Sequence, residues 1–406
     1  MNTDLEFSFT QQIEPFYRQL VELLLHDIDS LDDSEKQVRL EESRIAIEDL
    51  RKEELEELLP LNYVDADQQS INEIDPSAAV IYLMVLDNSL EVIVSVGEQP
   101  LQYHRTELDK NSQQKIFQEI CQYLDPVFPD SDLLPSVQKL YNWLILPVEE
   151  ILQANKITTL IFIPDGFLRH LPIAALHDGN QYLIEKYNIA FVPGLQFLQP
   201  KNLNRNDFSL LLGGLTKARQ GFSALPNVMQ EIEQISQMNP KHVLVDEEFT
   251  NQSFGAELDN MASPILHLAT HIQLSSHLED TFVLTWRDRL NFNHWRKLRE
   301  KNTVNSAIEL LVLTACALTE EEPNLPIIPH LTRIAICSGA KSTIATLWSI
   351  RDRSTINLVT EFYRLLSEHN FPKAEALRKA QISLLKDPQY QHPYYWSSFV
   401  LIGNWQ

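Results

Sequence analysis

Two apolar runs in this chain end on side chains that can do chemistry. "ILHLATHIQ" (265–273) carries His271 near its end, and "ELLVLTACALT" (309–319) runs into Cys316. A thiol and an imidazole are the parts of a cysteine nucleophile and its base. An unassisted thiol, with a pKa near ~8.5, is only a few per cent ionised at neutral pH. A neighbouring imidazole can take that proton and later pass it to a leaving amine. Backbone N–H groups at strand-to-loop turns can hold the oxyanion that forms meanwhile. The same two residues also have a plainer reading. A cysteine at a strand end is often a small buried hydrophobe, and a histidine there a hydrogen-bonded core residue.

Positioning such a pair requires adjacent strands. In open α/β sheets, ligands gather outside the carboxyl ends of the strands. Neighbouring strands run about 4.8 Å apart, so residues ending two of them can reach one substrate. The pattern from residue 206 onward fits this. Strands are expected at Ser209–Leu215, His242–Val245, Ile265–His271, Thr281–Thr285, Ile308–Ala315, "STIATLW" and "WSSFVLIG". Helices are expected near Asn227–Met238, Asn251–Asn260 and Leu331–Cys337, and over 354–367 and 372–386. Alternating strands and helices specify a mostly parallel, helix-flanked sheet.

Upstream, residues 1–60 read as a helical lead-in, with apolar residues three and four apart on a charged background. Asp32, Asp33 and Ser34 supply the turn and cap between two helices. Residues 61–205 read as a separate α/β subdomain. "AAVIYLMVLDNSLEVIVSVGEQPLQYH" gives two or three strands turning at Asp87-Asn88. "NSQQKIFQEICQYL" is helical, and a second helical region is interrupted by Pro147. "TTLIFIPDG" is a buried strand closed by a turn, and the polar stretch 201–207 marks the boundary to 206–406.

Composition narrows the function classes. Acidic residues outnumber basic ones 56 to 33, a net charge of −23, which disfavours a nucleic-acid or anionic-membrane surface. No apolar run approaches the roughly 20 residues of a membrane span, and "MNTDLEFSFTQQIEPF" lacks the features of a secretory signal. Three cysteines, Cys121, Cys316 and Cys337, are too few for a disulfide framework. A reducing cytoplasmic setting is therefore expected, with Cys121 and Cys337 as helix core residues. His267 and His271 have metal-ligand spacing only on a helix, and this segment reads as a strand, so no metal site is expected. "LLGGL" lacks the G-x-G-x-x-G of a dinucleotide site; no cofactor is expected.

The order of several segments resembles the CHAT domain, a branch of the caspase–separase group of cysteine peptidases. These are "LIFIPDGFLRHLPIAAL", "YLIEKYNIAFVPGLQ", "ILHLATH", "DTFVLTW", "LVLTAC", "SGAKSTIATLWSIRD" and "HPYYWSSFVLIG". The resemblance implies a caspase-like fold whose N-terminal half, 61–205, is a non-catalytic pseudo-caspase. It also implies a cysteine endopeptidase whose catalytic residues are His271 and Cys316, with the amides of Ile272 and Cys316 as oxyanion donors. Thr314, two before the cysteine, falls where relatives line the substrate pocket; Asp280, Trp348, Asp352 and Glu320–Glu322 are further pocket candidates. The partners implied are a protein substrate and a regulatory protein such as a tetratricopeptide-repeat sensor, in a regulated bacterial response that includes defence. The sequence departs from the family in two places. Ile272 stands where relatives have Gly, and "ALTEEEPNLP" after the cysteine is free of glycine. These departures support the alternative of a catalytically degenerate CHAT scaffold that acts by protein–protein interaction.

Overall fold

Local patterning and burial together select the elements seen in a computed structural model. It describes residues 13–55, 71–198, 209–238, 242–261, 264–275, 278–301, 308–314, 316–318, 327–348, 350, 353–369 and 371–406. The chain divides into two compact units, Met1–Leu198 and Gln199–Gln406. The polar stretch 201–207 lies outside the described residues.

In the first unit, helix α1 (Glu14–Leu25) has proline in its first turn and buries Val21 and Leu25. Helix α2 (Asp33–Leu55) starts where the sequence places a cap: the Asp32 carboxylate accepts from the amides of Ser34 and Glu35 at 3.0 and 2.9 Å. Strands β1 (Ala78–Val85), β2 (Ser89–Val96) and β3 (Gln102–Glu107) form an antiparallel meander. Its first turn is Asp87-Asn88, closed by the Leu86 N–H donating to Ser89 O at 2.9 Å. Helices α3 (Lys110–Tyr123) and α4 (Asp130–Leu144) follow, and Pro147 lies in the 3₁₀ turn that ends the second. Strands β4 (Thr159–Ile163) and β5 (Asn188–Phe191) then add parallel to β1, giving the order β3-β2-β1-β4-β5. Cys121 is exposed, against expectation, because it falls off the stripe of α3 that buries Ile116 and Ile120.

One buried carboxylate ties the two leading helices to this sheet. Asp165, in the turn after β4, is fully buried. Its Oδ2 accepts from Arg18 Nη1 of α1 at 2.7 Å and from the Val85 amide at 2.8 Å, and Arg51 of α2 also ion-pairs with it. Arg169, four residues on, makes a two-pronged contact with Glu54 at 2.8 Å. Burial alone would raise the pKa of Asp165. The two guanidiniums overcome it and hold the carboxyl at about 2.

In the second unit, β6 (Ser209–Gly214), α5 (Asn227–Ser236), β7 (His242–Val245), α6 (Asn251–Asp259) and β8 (Pro264–Ala269) alternate as expected. After them come β9 (Ile272–Leu274), β10 (Phe282–Leu284), β11 (Arg289–Asn291), α7 (Phe292–Lys301), β12 (Leu310–Leu313) and β13 (Cys316–Leu318). Helix α8 (Ile327–Ser338), β14 (Ser342–Thr346), α9 (Arg353–Glu368), α10 (Lys373–Leu385) and β15 (Phe399–Gly403) complete it. The large sheet of this unit runs β7-β6-β8-β12-β14-β15, parallel except for β15. With the antiparallel meander of the first unit, the fold is α/β with mixed strands and flanking helices. At Gly214 an added Cβ would lie 2.5 Å from Ile232, so the paired glycines let α5 pack close on β6. His267, fully buried on β8, is hydrogen-bonded core: Nε2 lies 2.9 Å from Glu231 of α5 and Nδ1 3.2 Å from the Tyr363 hydroxyl of α9.

Replacing Asp165 with Asn leaves the buried Arg51 and the half-buried Arg18 short of charge and is expected to destabilise the first unit by roughly 3–5 kcal/mol. A carboxylate held near 2, against about 3.9 unfolded, contributes stability above pH ~4 and loses it as the pH falls through 2. The gap between wild type and Asp165→Asn in urea unfolding should therefore narrow between pH 4 and 2. A gap that stays constant over that range would show that the charge of Asp165 is not what matters.

Candidate active site

The strands expected to end on His271 and Cys316 do lie side by side, but each stops early. β8 and β12 pair in parallel with Leu268 opposite Leu313. A second, four-stranded sheet ordered β11-β10-β9-β13 then begins, with Ile272 opposite Cys316. From one ladder to the next, the histidine chain advances four residues while the cysteine chain advances three. The one-residue offset falls where the chain passes from the large sheet to the small one, and the strand expected over 265–271 ends at Ala269. Of Cys316, the backbone alone is described.

The imidazole of His271 is held by residues well upstream of it in the chain. Its Nε2 lies 2.8 Å from the carbonyl oxygen of Ser223. A carbonyl only accepts, so Nε2 carries the proton and the basic lone pair is on Nδ1. The ring also packs on Phe222, with centroids 5.0 Å apart. Both contacts come from one tight turn, in which Arg219 and Phe222 exchange backbone hydrogen bonds at 3.0 and 2.7 Å. Gln220 and Gly221 take φ of 50° and 89°, the paired left-handed geometry of a hairpin turn, which favours glycine. Arg219 fastens the turn: its guanidinium lies 3.7 Å from the Trp286 ring centroid and its Nε donates to Trp286 O at 2.7 Å. Gln220 Nε2 donates to Thr285 O at 3.0 Å.

The oxyanion candidate Ile272 is 1% exposed and sits in a strand, without the positive φ that a glycine would favour. The Leu284 amide donates to His271 O at 2.9 Å, so residues 271 and 284 form a hydrogen-bonded antiparallel pair. Alternation along the strand then turns the Ile272 N–H away from β10, toward β13.

The pocket candidates are less gathered. Thr314 is 5% exposed and its hydroxyl has no hydrogen-bond partner among the described residues; its amide reaches Leu268 O at 3.3 Å. Trp348, just past β14 and so one strand over from Thr314, is half-buried, stacks on Tyr394 and donates Nε1 to Tyr394 O at 3.1 Å. Asp280 is exposed. It ends the 3₁₀ turn Leu278–Asp280 that precedes β10. Asp352 and Glu320–Glu322 lie outside the described residues.

Sequence reasoning missed the Arg219–Ser223 turn and Trp286. The one available signal was Gly221, among only ten glycines in the chain. Among the described residues, no group of His, Cys, Asp or Glu could hold a metal ion and no helix is long and apolar enough to cross a membrane.

In this α/β unit the segments that carry His271 and Cys316 lie side by side. A family model of the CHAT domain matches residues 134–404, and the chain belongs to that family. Its fold is similar to a crystal structure of the Saccharomyces cerevisiae separase–securin complex, with a TM-score of 0.56 and 10% identity over 96% of this chain and 37% of that one. A second crystal structure of that complex matches with a TM-score of 0.46 and 11% identity, over 94% of this chain and 33% of that one. The chain thus spans about a third of the length of the chains it matches. No curated protein matches it in sequence.

Removing the guanidinium in Arg219→Ala deletes a cation–π contact and a charged hydrogen bond, together worth about 2 kcal/mol. The turn should loosen and His271 should lose its single tautomer. Nitrogen-15 NMR of the imidazole is expected to show Nε2–H in the wild type and a mixture in the variant. A wild-type ring protonated on Nδ1 would contradict the assigned geometry.

Proposed function

We propose that this chain is a CHAT-type cysteine endopeptidase. Cys316 Sγ attacks the scissile carbonyl as His271 Nδ1 takes the thiol proton. The amides of Ile272 and Cys316 bind the oxyanion. The proton then passes from Nδ1 to the leaving amine, the C–N bond breaks, and water hydrolyses the thioester with His271 as base. The observation that carries this reading is the clamp on His271. With Nε2–H donated to Ser223, the lone pair is on Nδ1, and the residue after His271 is in register with Cys316. This chemistry needs no cofactor, and a reducing cytoplasmic setting keeps the thiol available.

The pseudo-caspase role of 61–205, and the roles of Thr314, Trp348, Asp280 and Asp352 in a substrate pocket, belong to the same proposal. So does a separate regulatory partner, given the binding of securin by separase in the structure this fold resembles. Relatives in regulated bacterial responses, including defence, suggest the same setting here. One observation favours the rival scaffold reading: the buried Ile272 is paired by strands on both sides.

A thiol-reactive peptide probe separates the two readings, in a Cys121→Ser background because Cys121 is exposed. Alkylation mapped to Cys316 should slow by roughly 10²–10⁴ in His271→Ala. Equal, slow labelling of Cys316 in both proteins, with no shortened partner on co-expression, would leave the scaffold.

A further inference from the structure

The clamp on His271 is made by a loop that has no core of its own. Between β6 and α5 the chain runs from Thr216 to Leu225, and none of these residues is buried. A segment without buried side chains opens easily unless hydrogen bonds fasten it. Arg219 and Gln220 fasten the tip, to Trp286 and Thr285. At the base the Leu225 amide donates to Thr216 O at 3.0 Å, so the loop closes on itself there. A side chain from the neighbouring strand end, Asp246, ties that base down.

Asp246 directly follows β7, beside the end of β6, where Gly214 is in register with Val245. It is 5% exposed. Its Oδ1 accepts from the amide of Thr216 at 2.8 Å and from that of Lys217 at 3.3 Å. Its Oδ2 accepts from the Thr216 hydroxyl at 2.7 Å. Lys217 Nζ stands 3.5 Å from Oδ2 and is shared with Glu247. The placement strains the backbone. Asp246 takes a φ of 50°, a left-handed conformation that a residue other than glycine keeps only where its surroundings fix it.

The same residue reaches the tip of the loop by a second route. The Phe249 amide donates to Asp246 O at 2.9 Å, and Phe249 O accepts from the Trp286 amide at 2.8 Å. Trp286 O in turn accepts from Arg219. Asp246 thereby closes a ring of contacts, through Thr216 to the base of the loop and through Phe249 and Trp286 to its tip. β7 is two strand positions from β8, about 10 Å, so the carboxylate acts on His271 through this ring. We infer that Asp246 is a positioning residue for His271, setting the base of the loop so that Ser223 O and Phe222 meet the imidazole. Its effect on Cys316 rests on the peptidase reading; its effect on the imidazole does not.

The test uses the full chain labelled with nitrogen-15 in histidine, the signals of His271 being those missing from His271→Ala. Asp246→Gly suits the left-handed backbone and removes the acceptor. Asp246→Asn also suits that backbone and keeps one acceptor oxygen. The wild type and Asp246→Asn are expected to show Nε2–H alone. Asp246→Gly should show a mixture with Nδ1–H, while its backbone amide spectrum remains that of a folded chain. If Asp246→Gly does not fold, Thr216→Val removes one donor, leaves both amides and should give a smaller Nδ1–H fraction. Nε2–H alone in the folded variant, or equal mixtures in the Asn and Gly variants, would overturn the inference. In a Cys121→Ser background, alkylation of Cys316 should slow roughly threefold or more in Asp246→Gly, because part of the imidazole then holds its proton on the wrong nitrogen. It should recover in Asp246→Asn. A tautomer mixture with unchanged alkylation removes the peptidase reading and leaves the clamp. A fixed tautomer, with alkylation still dependent on His271, removes the role of Asp246 and leaves the peptidase.

Discussion

Everything proposed for the second unit depends on one register, the parallel pairing of β8 with β12 and its one-residue slip before β9 and β13. Parallel strands of a helix-covered sheet offer their carboxyl ends to a shared crevice. Two straight strands would carry residues 271 and 316 on in simple register. The extra residue on the histidine chain instead sets Ile272 opposite Cys316 and turns its amide toward that strand. The offset leaves intact the ladder of Leu266, Leu268, Leu311 and Leu313 beneath it, all of them fully buried. The core stays rigid while its rim acquires a geometry that regular strands do not have.

The histidine is positioned by a different physical device. A tight turn supplies a carbonyl acceptor and an aromatic face, and Arg219 lays its planar cation on Trp286 to hold that turn in place. A carbonyl that can only accept fixes the proton on Nε2. A flat ring packed at 5.0 Å limits rotation. The substitution of Ile for Gly at 272 looks less severe in this setting than by residue type. The position is extended, and a β-branched side chain suits an extended, buried strand.

The first unit shows what a buried charge is worth when it is fully partnered. Asp165 loses its water and regains two guanidiniums and the Val85 amide. Such a cluster adds less net stability than an apolar core of equal volume, but a broken one is strongly unfavourable. Its effect is therefore specificity of docking. Helices α1 and α2 can approach the sheet in the one pose that satisfies all three partners, which apolar stripes alone would leave loosely defined.

Much of this architecture was legible in the residues. The Asp87-Asn88 turn, the Asp32 cap and the strand at His242–Val245 follow from local periodicity and turn chemistry, which act over a few neighbours. Of the small sheet, β10 was legible at Thr281–Thr285; β9, β11 and β13 were not, since three-residue strands carry too little alternation to be distinguished from loop, and α7 was not expected. Nor was the exposure of Cys121, which is set by one 100° step around a helix. The sequence by itself determined which side chains are candidates for catalysis and which apolar runs lead to them. Tertiary structure alone decided that a carbonyl from residue 223, 48 positions upstream of the histidine, fixes its tautomer. Contacts between residues far apart in the chain depend on register and packing, and a linear pattern encodes neither.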